Sequence, residues 1–198
     1  MASQPNIEIA VITGSVRPGS YTSKAVALVI DELEKDQEVK VTVIDPSKLL
    51  LSFPGMAGDT AAAQELRESV SRATGVILAT PEYHGSFSSI MKLVIENLGF
   101  PSALSGKPVA LLGVAGGQIG AIKSLEALAS VCMHVGALVL PGSVSVASVR
   151  KVFDENGRCR DAAVEKRIRS VARNLTDYLR QHLCPSIALE AMVRESEG

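Results

Sequence analysis

The sequence predicts one doubly wound α/β domain: a five-stranded parallel sheet with helices on both faces. Three observations carry that prediction. Short apolar runs alternate with amphipathic helical stretches along the whole chain, with no break in composition. Apolar residues make up 46% of the sequence and aromatics only 4%, so Val, Ala, Leu and Ile must fill the core, as in strands buried on both faces. The 198 residues suit a single domain able to bury a substantial core.

The elements follow in order. Ile7–Thr13 reads as the first strand and leads through a loop into a helix at Thr22–Lys35, where Val26, Val29, Ile30 and Leu33 share one face. The second strand is expected at Val39–Asp45. After it comes a long loop, Pro46–Asp59, whose apolar centre suggests a lid or a subunit contact. A helix at Ala61–Arg72 precedes the third strand, Gly75–Thr80, and Ser88–Leu98 forms the next helix. Lys107–Ala115 is the fourth strand. Gln118–His134 is a helix with Ile122, Leu125, Leu128 and Cys132 aligned, and Leu138–Val146 is the fifth strand. Asn156-Gly157 within Phe153–Asp161 signals a small hairpin, and Ala162–Leu183 closes the set as a helix. The domain is expected over residues 1–184, with 185–198 as a tail, either unstructured or a short terminal helix.

Composition excludes several classes. A net charge of −1 offers no electrostatic case for nucleic acid or an anionic membrane. MASQPNIEIA lacks the basic start and long apolar stretch of a signal peptide, and no segment approaches the roughly 18 apolar residues of a span. Cys132, Cys159 and Cys184 are odd in number and widely spaced, with no zinc-like pairing. They read as reduced thiols in a cytoplasmic protein, Cys132 as core, and no metal site is expected.

The loop after the first strand, TGSVRPGSYTS, is richer than a connection needs. Leading into a helix N-terminus, it offers free backbone N–H groups and the positive end of the helix dipole, a natural phosphate site. Ser15, Ser20, Thr22 and Ser23 supply hydroxyls and Arg17 a planar fork. The dinucleotide pattern G-x-G-x-x-G is absent. Gly14 and Gly19 have triphosphatase spacing, but Ser20-Tyr21 replaces the required lysine and hydroxyl. A flavin mononucleotide phosphate fits the loop. The bland alternative has Ser20 or Thr22 merely capping the helix and Arg17 in solvent.

Read as G-S-x-R-x-x-S, and taken with Pro81-Glu82-Tyr83 after the third strand, this loop resembles that of the NAD(P)H-dependent FMN reductases. These are flavodoxin-like enzymes that include quinone, azo-dye and chromate reductases. The likeness runs from about Ile7 to about Asp161. It departs in two places: His84 stands where the family often has Asn, and MKLVIEN replaces a run the family often writes L-K-N-A-[IL]-D-W. The resemblance implies strand order 2-1-3-4-5, which places the first and third loops on one crevice. It implies that the backbone of Glu82, Tyr83, His84 and Gly85, with Pro81 before it, meets the flavin's polar edge while the Tyr83 ring packs nearby. Ser86 or Ser88 would cap the next helix. Ala115, Gly116 and Gly117, in GVAGGQIGA, would let backbone amides approach the pyrimidine side.

With FMN bound, the cofactor would carry the chemistry. NADPH or NADH would deliver hydride and leave before a small acceptor such as a quinone, free flavin, azo compound or chromate took its place. That alternation needs alignment more than acid–base groups, so no catalytic residue is nominated. His84 is an available proton donor beside the ring, or simply a loop histidine bonded to nearby backbone. The rival classes are a non-enzymatic electron carrier and a flavin-binding regulator. Against the carrier stand the near-neutral charge and Arg17. The resemblance also implies a homodimer or homotetramer.

Overall fold

The structure, a computed structural model, describes residues 7–56 and 60–186. The central strands are β1 (Ile7–Thr13), β2 (Val39–Ile44), β3 (Gly75–Tyr83) and β5 (Pro108–Val114), with β6 (Leu138–Val139) and β7 (Val144–Val146) at one edge. Their order is β2-β1-β3-β5-β6, with β7 also on β5, and all these pairs are parallel. The expected 2-1-3-4-5 arrangement is therefore present, with its fifth strand in two pieces.

The break in that strand has a local cause. Val109 faces Val139 and Leu112 faces Val144, so Leu140–Ser143 bulge opposite only Ala110 and Leu111. Pro141 cannot donate to a ladder, and Gly142 turns through φ +88°. A second departure lies at β3, which runs on past Thr80 to Tyr83. There it pairs antiparallel with β4 (Ser86–Phe87), making a two-residue hairpin around His84-Gly85.

The helices are α1 (Tyr21–Leu33), α2 (Ala61–Arg72), α3 (Ser89–Glu96), α4 (Ile122–His134), α5 (Val149–Val152) and α6 (Ala162–Tyr178), the last continuing into a π-turn at Leu179–Leu183. Alternation along β1 divides the core. Ile7, Ile9 and Val11 join α1 and α6 on one face, while Ala10 and Ile12 join α2, α3 and α4 on the other. Caps define the helix starts: Ser20, Thr60, Ser88 and Asp161 each accept a backbone N–H in the following turn. The start of α4 lacks a cap of its own, and Ser145 Oγ on β7 accepts the Ala121 N–H at 2.8 Å instead. Ile122, expected on the buried face, is exposed at that first turn, and Ile30 is only half-buried.

Phe153 and Cys159 form a single antiparallel bridge around Asn156-Gly157, a minimal version of the expected hairpin. The short helix α5 just before it was not foreseen. Cys132 is buried in the core, which pushes its thiol up to about 12. No helix among the described residues is long and apolar enough to cross a membrane. Most of the expected tail, from 187 onward, lies outside the described residues.

Candidate active site

The carboxyl ends of β1, β3 and β5 open into one cleft of about 420 Å³. Three glycines set its geometry. A Cβ on Gly14 would come within 2.8 Å of Ala79 O, and Gly14 N–H donates to that same oxygen at 2.6 Å, so the ends of β1 and β3 meet more closely than any side chain allows. Gly116 and Gly117 are the opposite case. An added Cβ at either would meet nothing within 4 Å, and neither adopts a positive φ. Glycine there leaves space clear above the end of β5.

The phosphate-type loop is built as the sequence suggested, with its roles redistributed. Ser15, Arg17, Ser20 and Thr22 line the cleft. Ser20 is the cap of α1: its Oγ accepts the Ser23 N–H at 3.1 Å and lies 2.8 Å from Ser23 Oγ. Ser23 therefore braces the cap from behind and does not line the cleft. The first-turn N–H groups of Tyr21 and Thr22 have no intrahelical partners and belong to cleft-lining residues. Arg17 is exposed and makes no side-chain hydrogen bond or ion pair among the described residues. Ser15 is the telling residue. It is only 6% exposed, lines the cleft, and its Oγ has no hydrogen-bond partner among the described residues. A buried hydroxyl without a partner is uncommon and calls for a ligand atom or ordered water.

The second loop supplies Pro81, Glu82 and Tyr83 to the lining. His84 and Gly85 do not line it; they form the hairpin turn, with φ of +52° and +77°. Two successive positive φ angles are those of a type I′ turn, which favours Asn-Gly. Gly85 N–H, expected to be free for a ligand, donates to Glu82 Oε1 at 2.6 Å. That bond closes the turn and occupies one oxygen of the Glu82 carboxylate. Beneath it, Ser88 N–H donates to Thr80 Oγ1 and Ser88 Oγ donates to Gly14 O at 2.6 Å, stitching the first and second loops together. Ser88, not Ser86, is the cap of α3.

In the third loop Gly116 lines the cleft, while Ala115 and Gly117 stand just outside it. Ala115 is buried and uses both backbone groups, N–H to Val146 O and C=O from Val149 N–H; Gly117 O accepts from Gly120 and Ser148. Val114, Val149 and Arg150 complete the wall. Arg150 went unnoticed in the sequence because it belongs to no motif. Only an unforeseen helix brings it to the cleft. Among the described residues there is no cluster able to hold a metal ion.

Residues 7–151 match the family profile described as NADPH-dependent FMN reductase. The chain belongs to that family. It is 28% identical over 180 residues to an NAD(P)H-dependent FMN reductase of Pseudomonas aeruginosa, covering 89% of this chain and 97% of that relative. It is also 28% identical over 163 residues to a quinone reductase of Pseudomonas putida, covering 77% of this chain and 84% of that one. Among solved structures, the flavoenzyme NAD(P)H:(acceptor) oxidoreductase FerB of Paracoccus denitrificans superposes with a TM-score of 0.74 at 21% identity, over 89% of this chain and 98% of that chain. That likeness bears on the fold, which is flavodoxin-like. By family the protein is an FMN-dependent oxidoreductase that uses NAD(P)H. Its cleft fits that cofactor: an orphaned buried hydroxyl and an unpaired arginine precede a helix N-terminus, and Gly116, with no side chain, lines the same cleft.

Proposed function

We propose that the chain holds the FMN phosphate with Ser15, Arg17, Thr22 and the first N–H groups of α1, and the ring between Pro81–Tyr83 and Gly116. One observation carries this: Ser15 lines the same cleft as Arg17, and its Oγ is buried with no partner among the described residues. FMN, when bound, supplies the hydride chemistry. The protein's part is to orient reactants and keep the ring's open side reachable. One oxygen of the Glu82 carboxylate holds Gly85 N–H and so serves the turn, and no histidine lines the cleft among the described residues. This suits alternate use of one face by NAD(P)H and by a small acceptor such as a quinone, free flavin, azo compound or chromate. The test is the absorption spectrum and released cofactor of the purified protein, followed by anaerobic mixing with NADPH. FMN with rapid bleaching supports a reductase. FAD alone overturns the assignment, and FMN without bleaching points to a carrier.

Assembly as a homodimer or homotetramer in the cytoplasm, from one domain spanning residues 1–184, belongs to the same reading. Leu50, Phe53 and Met56 are 80%, 63% and 67% exposed. Leu49 and Leu51 beside them pack on the core, and Asn97 Nδ2 donates to Ser52 O at 3.0 Å, tying the loop to the end of α3. A loop so anchored with apolar side chains outward favours a subunit contact over a mobile lid. Sedimentation at low micromolar concentration tests this, and a fully active monomer would contradict it.

A further inference from the structure

The cleft has a second arginine. Val149 and Arg150, which open α5, line it together with Ser15, Arg17, Tyr21 and Thr22. Their position is set from two sides. Toward the sheet, Ala115 N–H donates to Val146 O at 2.8 Å, Val149 N–H to Ala115 O at 3.0 Å and Ser148 N–H to Gly117 O at 2.9 Å. Toward the phosphate loop, Lys24 Nζ donates to Asp154 O at 2.8 Å, and the Tyr21 and Phe153 rings stand 6.4 Å apart. Val149, Val152 and Phe153 share a buried cluster with Ala25 and Val26 of α1. The segment is thereby docked on the first turn of α1, beside the cleft that Ser15 also lines.

The turn that delivers Arg150 is strained. Ser148 sits at φ +47°, a conformation unfavourable for a residue with a Cβ, and such outliers concentrate where function over-determines the backbone. Arg150 is exposed and makes no side-chain hydrogen bond or ion pair among the described residues. Arg158 and Arg160 are likewise unpaired among the described residues but do not line the cleft, while Arg167, Arg169, Arg173 and Arg180 are engaged. Charge balance supplies the ligand. A phosphate monoester carries about −1.5 to −2 at neutral pH, which Arg17 alone does not neutralise.

We propose that Arg150 is a second phosphate-binding residue, closing over the 5′-phosphate of FMN from the side opposite Arg17. This rests on the FMN reading. The experiment compares wild type, Arg150→Ala and Arg150→Lys for binding of FMN and of riboflavin, followed by quenching of flavin fluorescence. Arg150→Ala should raise the FMN dissociation constant roughly ten- to hundredfold while leaving riboflavin unchanged. Arg150→Lys should recover part of the loss. Equal losses for both flavins would reduce Arg150 to packing. Wild-type FMN affinity with a raised KM for NADPH would assign it to the dinucleotide's phosphates instead. A wild-type protein that binds riboflavin as tightly as FMN would overturn the FMN-phosphate reading itself, and this assignment with it.

Discussion

Replacing Ser15 by Ala should move apoprotein stability and cofactor affinity in opposite directions. In the ligand-free fold, the Ser15 hydroxyl is buried with no partner among the described residues, and Ala removes that burden without opening a cavity. An unsatisfied buried polar group costs about 1–3 kcal/mol. Water entering the cleft relieves part of that, so the low end, about 1 kcal/mol, is the expected gain. For a chain of this size it raises the apoprotein Tm by about 2–4 °C. Binding loses what folding gains. A hydrogen bond from a hydroxyl to a phosphate is charge-assisted and contributes about 1.5–3 kcal/mol, so FMN should bind roughly ten- to hundredfold more weakly. Differential scanning calorimetry of the stripped protein and fluorescence titration with FMN read the two effects separately. A lower apoprotein Tm, or FMN affinity within about twofold of wild type, would refute the assignment of Ser15 as a ligand to the phosphate.

Arg17→Ala should weaken FMN roughly ten- to hundredfold with unchanged circular dichroism; an unchanged dissociation constant would return Arg17 to solvent. His84 occupies a left-handed position at φ +52°, so His84→Asn should hold or slightly raise the Tm. His84→Val should lower stability by about 1–2 kcal/mol, and equal midpoints for the two variants would contradict the turn assignment. Glu32 accepts from Lys35 at 2.6 Å and from Arg173 at 2.5 Å, and these cations hold its carboxyl at about 2 against burial, below the ordinary 4.5. Its folded pKa is depressed, so its contribution is complete above about pH 4.5 and fades as pH falls toward 2. Urea unfolding of wild type and Glu32→Gln should therefore differ near neutrality and converge in acid, and a constant gap across that range would show that the pairing contributes nothing.

The reading from sequence succeeded where one physical signal dominated. Alternation and period placed β1 and α2 to the residue, because both are ordinary elements with clean ends. The phosphate loop was visible because four hydroxyls, an arginine and a helix start coincide within a few residues. What escaped was the choice among local options and everything tertiary. Ser20 to Ser23 and Glu82 to Gly85 are contacts three residues apart, yet the same side chains could equally have faced a ligand. Leu138–Val146 looked continuous because its apolar pattern is continuous, although Pro141-Gly142 was a sufficient warning of the break. Arg150 could not be found at all from its neighbours. It reaches the cleft through backbone bonds to residues some thirty positions earlier, at Ala115 and Gly117.

That break in the fifth strand also bears on how the molecule behaves when concentrated or heated. A sheet has two borders, and each exposes unpaired amides that invite a foreign strand. Here one border is interrupted: β6 and β7 are short pieces parted by a proline turn, a poor template for extension. The other is β2, an uninterrupted run whose only partner among the described strands is β1, with Val43 half exposed. Misassembly by strand addition would start there. Lys40, paired with Glu8 at 3.0 Å, places charge along that border and makes it a gatekeeper against aggregation, a duty unrelated to the chemistry at the far end of the strands.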